Sequence, residues 1–483
     1  MKKLLSTGTY TCQWTYRGHT VSGELTLEAS RPPAGRLVNA PGTWIEGETS
    51  RSFQPHSDDV DVLRGSTHGA RDTVLWDSED VALLGARVQH ELPERSWIQA
   101  KMALVGGRIP DDMLFDSVEF QVGGLTELSG VRPFKTVTIP RKWTGNPDLV
   151  ATWNSDETSL EWTRPDGDQL RLGFTAHVTW PGHYSFSVTA APVMTVSGTS
   201  RPAEAWMTQY VRPLAEITTL ATQRPQMISW VILRREGTAN SSVQVFAADI
   251  TQQPYEATQP EPADLITHQS AALVRLGPDG AALPDLLEGW ATLQTTYITF
   301  FDYLTVALRD TMSTRSRFLA LVPALEGLHV AKYGDGPMPR AEYRKQRKAV
   351  VDRLAQVDGL AQDDIEFIKR WLANYGSHEL ADRLREIIDK ELGDQLRERI
   401  KARVDPLPPV LEGIVQNAKD VWAVMGTSRN RIAHGADKQP TSTQLNAITR
   451  LAHTVAMGVA MKHLGIPDTV LCEAIDQDRW LVV

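Results

Sequence analysis

Length, composition and charge exclude several broad classes of protein. The chain has 483 residues, of which 41% are hydrophobic and 23% charged, so it has room for two or three domains and is not disordered throughout. Its formal net charge of -9 excludes a general polyanion binder of the histone kind but allows a local basic patch. With only two cysteines, the chain has neither a disulfide scaffold nor a cysteine-based zinc site.

The sequence predicts no signal peptide and no membrane span. The charged start Met1-Lys2-Lys3 is followed by Ser6-Thr7-Gly8 instead of an apolar core. No stretch reaches the ~18–20 continuous apolar residues that a bilayer-spanning helix needs. We therefore expect a soluble cytoplasmic protein with no membrane partner.

The first half of the chain has the pattern of β-strands separated by turns. Residues 9–16 are rich in aromatic and β-branched side chains, and residues 21–28 alternate apolar and polar positions. Further strands are predicted at 81–88, 97–105, 117–122, 136–139, 160–163, 170–180, 184–196, 228–234 and 242–247, with one helix at 203–220. This pattern predicts a large β-rich domain, either a sandwich or a barrel-like sheet assembly.

Beyond the linker-like stretch 251–262 and a second break at 277–280, the pattern becomes helical. Apolar side chains at helical spacing predict helices at 286–308, 317–333, 341–355, 363–375, 380–400, 410–425 and 444–464. Thr441 and Gln444 have capping-box spacing before the last of these. We therefore expect an α+β multidomain chain, with a large β-rich N-terminal domain over residues 1–280 and an all-α helical bundle over residues 281–483.

The stretch most informative about function lies between the last two predicted helices. It reads Gly-Thr-Ser-Arg-Asn-Arg-Ile-Ala-His-Gly over residues 426–435, with Arg429, Asn430 and His434 as its chemically useful side chains. Arg429 and His434 are five residues apart, about one and a half helical turns, so they emerge at different angles around the axis. Both could reach one cavity that faces the start of a short helix at this point.

This stretch resembles the motif of the HEPN ribonucleases, in which an arginine, a polar residue, a spacer and a histidine follow one another. The stretch 318–329 resembles the early helix of the ApeA-like HEPN branch, where a large β-rich domain precedes the helical one. The resemblance implies an endoribonuclease toxin of antiphage defence (abortive infection), with tRNA a common target of such toxins. It also implies a HEPN homodimer with a composite site, and a β-rich sensor or regulatory domain that responds to a phage-derived trigger.

The residue types fit that chemistry without a metal or another cofactor. RNA is cut when its 2′-hydroxyl attacks the adjacent phosphorus, which leaves a 2′,3′-cyclic phosphate and a free 5′-hydroxyl. A histidine exchanges protons near neutral pH, so we expect His434 to be the acid–base group. The guanidinium of Arg429 would hold phosphate oxygens, and Asn430 would orient the imidazole or hold the substrate. The 12 histidines are scattered, and we expect no metal ligands.

A second candidate site is a basic run in one predicted helix. Helical spacing places Arg340, Arg344 and Lys348 on one face with Arg347 beside them, and Lys345 belongs to the same run. We expect Arg344, Lys345, Arg347 and Lys348 to contact an RNA backbone, with a plain solvated helix face as the alternative.

Alternatives to the ribonuclease remain open on the sequence alone. Arg429 could pair with a carboxylate while His434 serves as a C-terminal helix residue favoured by the helix dipole. The bundle would then be a catalytically inactive dimerisation module with a ligand-binding β-rich domain. The β-rich domain could also be a carbohydrate-active enzyme with two carboxylates across a cleft. Glu326 and His329, three residues apart, are either a second layer around the motif or a helical surface pair.

Overall fold

A computed structural model describes most of the chain. The described residues are 4–16, 18–38, 42–46, 51–55, 62–68, 71–76, 82–89, 92–131, 133–138, 150–153, 159–182, 185–237, 242–253, 272–277, 280–309, 312–334, 340–357, 359–371, 379–414, 420–435 and 438–476. The chain divides into two compact units, Met1–Thr222 with Gln226–Leu287, and Gln223–Pro225 with Glu288–Val483.

The first unit is built on antiparallel strands. Their bounds are β1 (Gly8–Tyr16), β2 (His19–Leu27), β3 (Ala34–Val38), β4 (Gly42–Glu46), β5 (Arg51–Pro55), β6 (Val62–Thr67), β7 (Arg71–Trp76), β8 (Ala82–Gln89), β9 (Leu92–Gln99), β10 (Met102–Gly106), β11 (Leu114–Val122), β12 (Phe134–Thr138), β13 (Val150–Trp153), β14 (Leu160–Thr163), β15 (Gln169–Gly182), β16 (Ser185–Pro202), β17 (Ile228–Arg234) and β18 (Val243–Ala247). Within the described residues, 14 strands form one sheet in the order β14-β15-β16-β11-β17-β18-β10-β7-β6-β1-β2-β3-β9-β8, and β4–β5 and β12–β13 form separate two-stranded sheets.

Strand alternation places one face of this sheet in an apolar core. In β1, Cys12, Trp14 and Tyr16 are buried while the residues between them are exposed, as the two-residue period of a strand requires. The paired strand β2 adds Leu25 and Leu27 to the same cluster. The side chains of β1 and β2 thus form part of an apolar cluster shared with β6, β7 and β10.

The helix predicted at 203–220 is present, but its winding changes twice. It consists of α2 (Ala203–Trp206), a π-helical turn (Met207–Val211) and α3 (Arg212–Thr222), and a short α1 (Leu125–Ser129) precedes it in the chain. Tyr210 of the π-helical turn hydrogen bonds to the buried carboxylate of Asp168, which also accepts two 2.8 Å hydrogen bonds from Arg201. Because a buried charge is costly unless it is paired, this network fastens the helix to the sheet.

Most of the described residues after 280 lie in helices. The bounds are α4 (Leu283–Thr296), α5 (Ile298–Ala307), α6 (Thr314–Tyr333), α7 (Arg340–Leu354), α8 (Gln362–Trp371), α9 (Leu380–Glu391), α10 (Asp394–Val404), α11 (Val421–Ala433), α12 (Ser442–His463) and α13 (Asp468–Asp476). Helix α6 lies at the centre, because it packs against α5, α9, α11 and α12. Its buried Phe318, Leu321, Leu325 and Leu328 follow the helical spacing from which it was predicted.

The predicted α+β architecture, a β-rich part followed by a helical part, is confirmed. The capping box at Thr441 is confirmed too, since its side chain accepts from the backbone N–H of Gln444 and the Gln444 side chain binds the Thr441 N–H in return. The strand predictions were incomplete: six strands between residues 34 and 99 and β13 were missed or partly missed, and 97–105 is divided between β9 and β10.

Three helix predictions were wrong in their extent. The helix at 286–308 is interrupted at Tyr297, whose backbone is not helical. The helix at 380–400 is two helices, because Leu392 is extended and Gly393 lies so close to Asp468 that a Cβ there would overlap its carboxylate. Residues 410–414 form turns instead of a helix, and Gly413, with φ of 84°, has the left-handed backbone that ends regular winding.

Candidate active site

The predicted motif occupies the last turns of α11, not the start of a short helix. This helix begins at Asp420, whose side chain accepts a 2.9 Å hydrogen bond from the backbone N–H of Ala423 and so caps the first turn. It ends at His434, where Gly435 takes up a φ of 66°, a conformation that glycine adopts without strain. Its buried side chains are Val421, Val424, Met425, Ser428 and Ile432.

Helix α9 holds the start of α11 in place. Arg385 of α9 donates hydrogen bonds of 2.8 and 2.6 Å to one carboxylate oxygen of Asp420. Farther along, Gly426 of α11 approaches Leu380 of α9 closely enough that an added Cβ would lie 3.6 Å from the leucine Cβ. Sequence reasoning missed both residues of the ion pair. An N-cap signal was present, since Asp420 directly precedes an apolar run, but the helix had been predicted to begin ten residues earlier.

The guanidinium of Arg429 lies between a carboxylate and an amide. Its Nη2 atom is 3.6 Å from Oε2 of Glu326 on α6, and its Nη1 atom donates a 3.0 Å hydrogen bond to Oδ1 of Asn430. The Arg429 side chain is still 34% exposed. Glu326 therefore holds the guanidinium without enclosing it.

His434 is the C-terminal cap of α11 and is exposed. Its backbone N–H donates a 3.0 Å hydrogen bond to the carbonyl of Asn430. Within the described ranges, its imidazole has no hydrogen bond or ion pair. The side chain of Asn430, which was expected to orient the imidazole or hold the substrate, accepts from Arg429 through its Oδ1 atom.

Glu326 and His329 are not a surface pair. Glu326 contacts the motif, whereas His329 is fully buried with its Nε2 atom 2.7 Å from Oε2 of Glu386 on α9. Hydrogen bonds from Lys390 and from His329 lower the pKa of Glu386 to about 2. The two neighbours on α6 thus reach different helices, Glu326 toward α11 and His329 toward α9.

A second carboxylate reinforces the contact between α6 and α9. Glu391 is almost fully buried and lies 2.7 Å from Nζ of Lys332 and 3.5 Å from Nε2 of His463 on α12. Burial acts to raise its pKa, yet hydrogen bonds from His463, Lys332 and Tyr333 lower it to about 2. These groups lie against one another, so we assign them to the framework behind the site.

The basic run lies on α7, and its residues differ in how exposed they are. Arg344, Lys345 and Lys348 are exposed, but Arg347 is half-buried and donates a 2.6 Å hydrogen bond to the carbonyl of Lys369 on α8. Arg347 therefore joins two helices. The side chain of Arg340 lies outside the described residues.

Arg431 has a separate role from Arg429, since its Nη1 atom donates to the carbonyl of Ile414.

Among the described residues, no group of three or more His, Cys, Asp or Glu side chains could hold a metal ion. At the end of α11 the structure therefore presents a reachable cation and a reachable imidazole, the two groups that metal-free RNA cleavage needs.

Two family models match the chain. Residues 13–266 match the family described as ApeA N-terminal domain 1, and residues 319–470 match the family described as Apea-like HEPN. The chain belongs to the ApeA-like HEPN family. The second match contains α11 and the whole Arg429–His434 motif, as well as Glu326. No curated protein and no solved structure matches the chain.

Membership places this ApeA-like HEPN protein among the nuclease-type proteins of antiphage defence. HEPN domains act generally as ribonucleases, and they typically dimerise and bind RNA. No helix in the described part of the chain is both long enough and apolar enough to cross a bilayer.

Proposed function

We propose that the chain is a metal-independent endoribonuclease and toxin of abortive infection, and that Arg429, Asn430 and His434 form its catalytic site. The observation that carries the proposal is the accessibility of two side chains at the end of α11. His434 is exposed, and Arg429 remains partly exposed although Glu326 contacts it. A ribose and a phosphate can therefore reach both side chains, as acid–base catalysis requires.

Cleavage needs one proton acceptor and one proton donor. A neutral imidazole takes the proton of the ribose 2′-hydroxyl while the oxygen attacks the adjacent phosphorus, and an imidazolium protonates the 5′-oxygen as its bond to phosphorus breaks. The products are a 2′,3′-cyclic phosphate and a free 5′-hydroxyl. Because an in-line displacement places the attacking 2′-oxygen and the leaving 5′-oxygen on opposite sides of the phosphorus, the two copies of His434 in a homodimer supply the two roles at a composite site.

Arg429 and Asn430 act on the phosphate. The guanidinium stabilises the negative charge that develops on the phosphorus oxygens in the transition state, since its donors match two oxygens at once. Glu326 orients this guanidinium before RNA arrives. Asn430, whose amide Oδ1 accepts from Arg429, keeps its NH₂ group available for the substrate.

The two parts of the chain have different tasks in this proposal. Residues 1–280 form a sensor that restrains the enzyme until a phage-derived trigger appears, and residues 281–483 form the catalytic HEPN domain. The domain cuts cellular RNA, with tRNA as the candidate substrate, in the cytoplasm. A nuclease that kills its host cell must be inactive until infection, which a separate sensor domain makes possible.

A second candidate, a catalytically inactive HEPN dimerisation module, fits two observations. Arg429 pairs with a carboxylate, that of Glu326, and His434 ends helix α11, as the inactive alternative requires. We favour the enzyme because His434 is exposed, Arg429 is partly exposed, and both belong to a motif that resembles that of the HEPN ribonucleases.

The deciding experiment compares wild-type protein with Arg429→Ala and His434→Ala variants in cells challenged with a panel of phages. RNA is sequenced by a method that captures 5′-hydroxyl ends. Purified proteins are also incubated with total cellular RNA in the presence of a chelator. We expect new 5′-hydroxyl ends only with the wild type, and cleavage that resists the chelator.

Matched controls are Arg450→Ala and His68→Ala, since both side chains are exposed and neither belongs to the motif. Both should cut as the wild type does. If the Arg429 and His434 variants produce the same 5′-hydroxyl ends as the wild type, or if the wild type produces none under any challenge, the inactive module is the better description.

A further inference from the structure

Helix α7 is strongly basic in an acidic chain. Its 15 residues include six Lys or Arg side chains and two carboxylates, Glu342 and Asp352, whereas the whole chain carries a net charge of -9. Such a concentration of one charge on one helix costs repulsion between neighbours. The positions of these side chains around the helix show which of them have a structural role.

The helix is divided into an inner side and a basic flank. Each residue advances about 100° around the axis. On the inner side Val351 is buried and Tyr343 and Leu354 are partly buried, and α7 packs against α8, where Ile365 is buried. Arg347 also belongs to this side through its bond to the Lys369 carbonyl.

Three cations share the outward flank. Arg344, Lys348 and Lys345 lie within a sector of about 100°, and all three are exposed. We call these three residues the basic stripe. Arg344 and Lys348 are four residues apart, so their side chains project one above the other about 6 Å apart along the axis.

Within the described residues, the stripe has no counter-charge: no carboxylate there lies within ion-pair distance of Arg344, Lys345 or Lys348. Some cations on other helices do have such partners: Lys332 pairs with Glu391, and Arg385 pairs with Asp420. Three adjacent exposed cations attract a polyanion.

Helix α8, which packs against α7, exposes an aromatic ring. We call these two helices the α7–α8 hairpin. Phe367 of α8 has 62% of its surface exposed, which is unusual for a phenylalanine. Proteins that bind single-stranded nucleic acid combine cations along the backbone with aromatic side chains that stack on bases. An acidic protein surface would use the cations but would offer no base on which an aromatic ring can stack.

We propose that the basic stripe of α7 binds the phosphate backbone of single-stranded RNA outside the catalytic site, and that Phe367 stacks on a base of the same strand. This inference rests on the proposed ribonuclease function and identifies a second contact with its substrate. Arg347 is excluded from the stripe, because its guanidinium holds the hairpin together.

The test measures RNA binding apart from cleavage. A labelled single-stranded RNA of about 20 nucleotides is titrated with full-length His434→Ala protein at several salt concentrations, and then with the same protein carrying Arg344→Gln, Lys345→Gln and Lys348→Gln. Counterion release of about 0.7 per phosphate contact predicts that the triple variant loses about two units of salt slope and roughly 10- to 100-fold in affinity. Phe367→Ala should weaken binding by about tenfold with the slope unchanged.

The matched control changes the same charge elsewhere in the helical unit. Arg353→Gln, Lys401→Gln and Arg450→Gln alter three exposed cations and should leave affinity and salt slope as they are. Equal RNA binding by the stripe and control variants overturns the inference. A lack of RNA binding by the parent protein overturns it too. If the stripe variant keeps its RNA affinity but loses a protein partner, the stripe binds an acidic protein surface instead.

The two proposals fail in distinguishable ways. If wild-type protein cuts RNA and the stripe variant binds it normally, the stripe inference fails and the ribonuclease stands. If no cleavage depends on His434 but the stripe variant loses RNA affinity, the binding surface stands and the ribonuclease fails.

Discussion

Arg385 and Asp420 form the ion pair that fixes the start of the helix carrying the candidate site. The guanidinium contacts one carboxylate oxygen, and the other oxygen caps α11 through Ala423. One side chain thus both begins α11 and attaches it to α9, at the opposite end of the helix from His434.

Replacing Asp420 with alanine should destabilise the helical unit by about 1–2 kcal/mol, since an N-cap and the partner of Arg385 are lost together. RNA cleavage should fall as well, because the first turn of α11 loosens. Asp420→Asn keeps the cap and should recover most of the stability in urea unfolding. Asp382→Ala removes the more exposed partner of Arg385 and should cost less than ~0.5 kcal/mol. Equal losses for Asp382→Ala and Asp420→Ala would contradict this account.

Glu326→Gln tests how the proposed catalytic cation, Arg429, is held. The neutral amide no longer attracts Arg429, so the guanidinium samples more orientations, and we expect kcat to fall by about tenfold because orientation contributes to the barrier. KM should not rise, since the arginine loses a competitor for phosphate. Glu326→Asp retains the charge and should restore part of kcat. A rise in KM with unchanged kcat would instead mean that Glu326 contacts the RNA.

His453 makes stability depend on pH in a defined window. Burial, with the nearby charge of Arg317, lowers the pKa of this imidazole to about 4. As pH falls from about 6.5 toward 4, His453 is therefore protonated in the unfolded chain but stays neutral in the folded chain. The free energy of unfolding decreases over this range. Between pH 7 and pH 5 we expect a loss of about 2 kcal/mol from this residue.

The measurement is urea unfolding followed by circular dichroism at both pH values. His453→Met has an apolar side chain that cannot titrate, and its pH 5 to pH 7 difference should be smaller by that amount. An identical difference in the wild type and the variant would show that other groups control this range.

Arg347→Ala should affect the α7–α8 hairpin and not RNA binding directly. Its guanidinium links the two helices through the Lys369 carbonyl, so its loss should speed proteolysis between residues 355 and 361. Arg344→Ala removes an exposed side chain and should leave the proteolysis rate unchanged. Equal rates for the two variants would show that the link contributes nothing to the hairpin.

The sequence indicated the candidate motif and the kind of elements around it more reliably than their ends. Arg429 and His434 were predicted from the resemblance of their motif to that of the HEPN ribonucleases, and α6 and α12 from apolar periodicity. Helix ends depend on single residues instead. Gly413 lies in a turn with a left-handed backbone, and Gly393 separates α9 from α10 through a close approach; apolar periodicity encodes neither.

Tertiary partners were the least predictable part of the site. Glu326 precedes Arg429 by more than a hundred residues, and nothing in the local pattern distinguishes it from an ordinary surface glutamate. Arg385 and Glu386 are adjacent in sequence yet serve different helices. Such pairings follow from how helices pack, and a single sequence contains no record of that packing.

Two ion pairs and one histidine–carboxylate hydrogen bond connect three helices in a closed loop. Glu326 with Arg429 joins α6 to α11, Arg385 with Asp420 joins α11 to α9, and His329 with Glu386 joins α9 back to α6. In a closed loop, breaking one connection leaves the other two to limit the displacement, whereas breaking a second frees one helix. The losses from single substitutions should therefore add up to less than the loss from a double substitution. Partial losses from single changes, with much larger losses from pairs, would keep the proposed catalytic arginine in position.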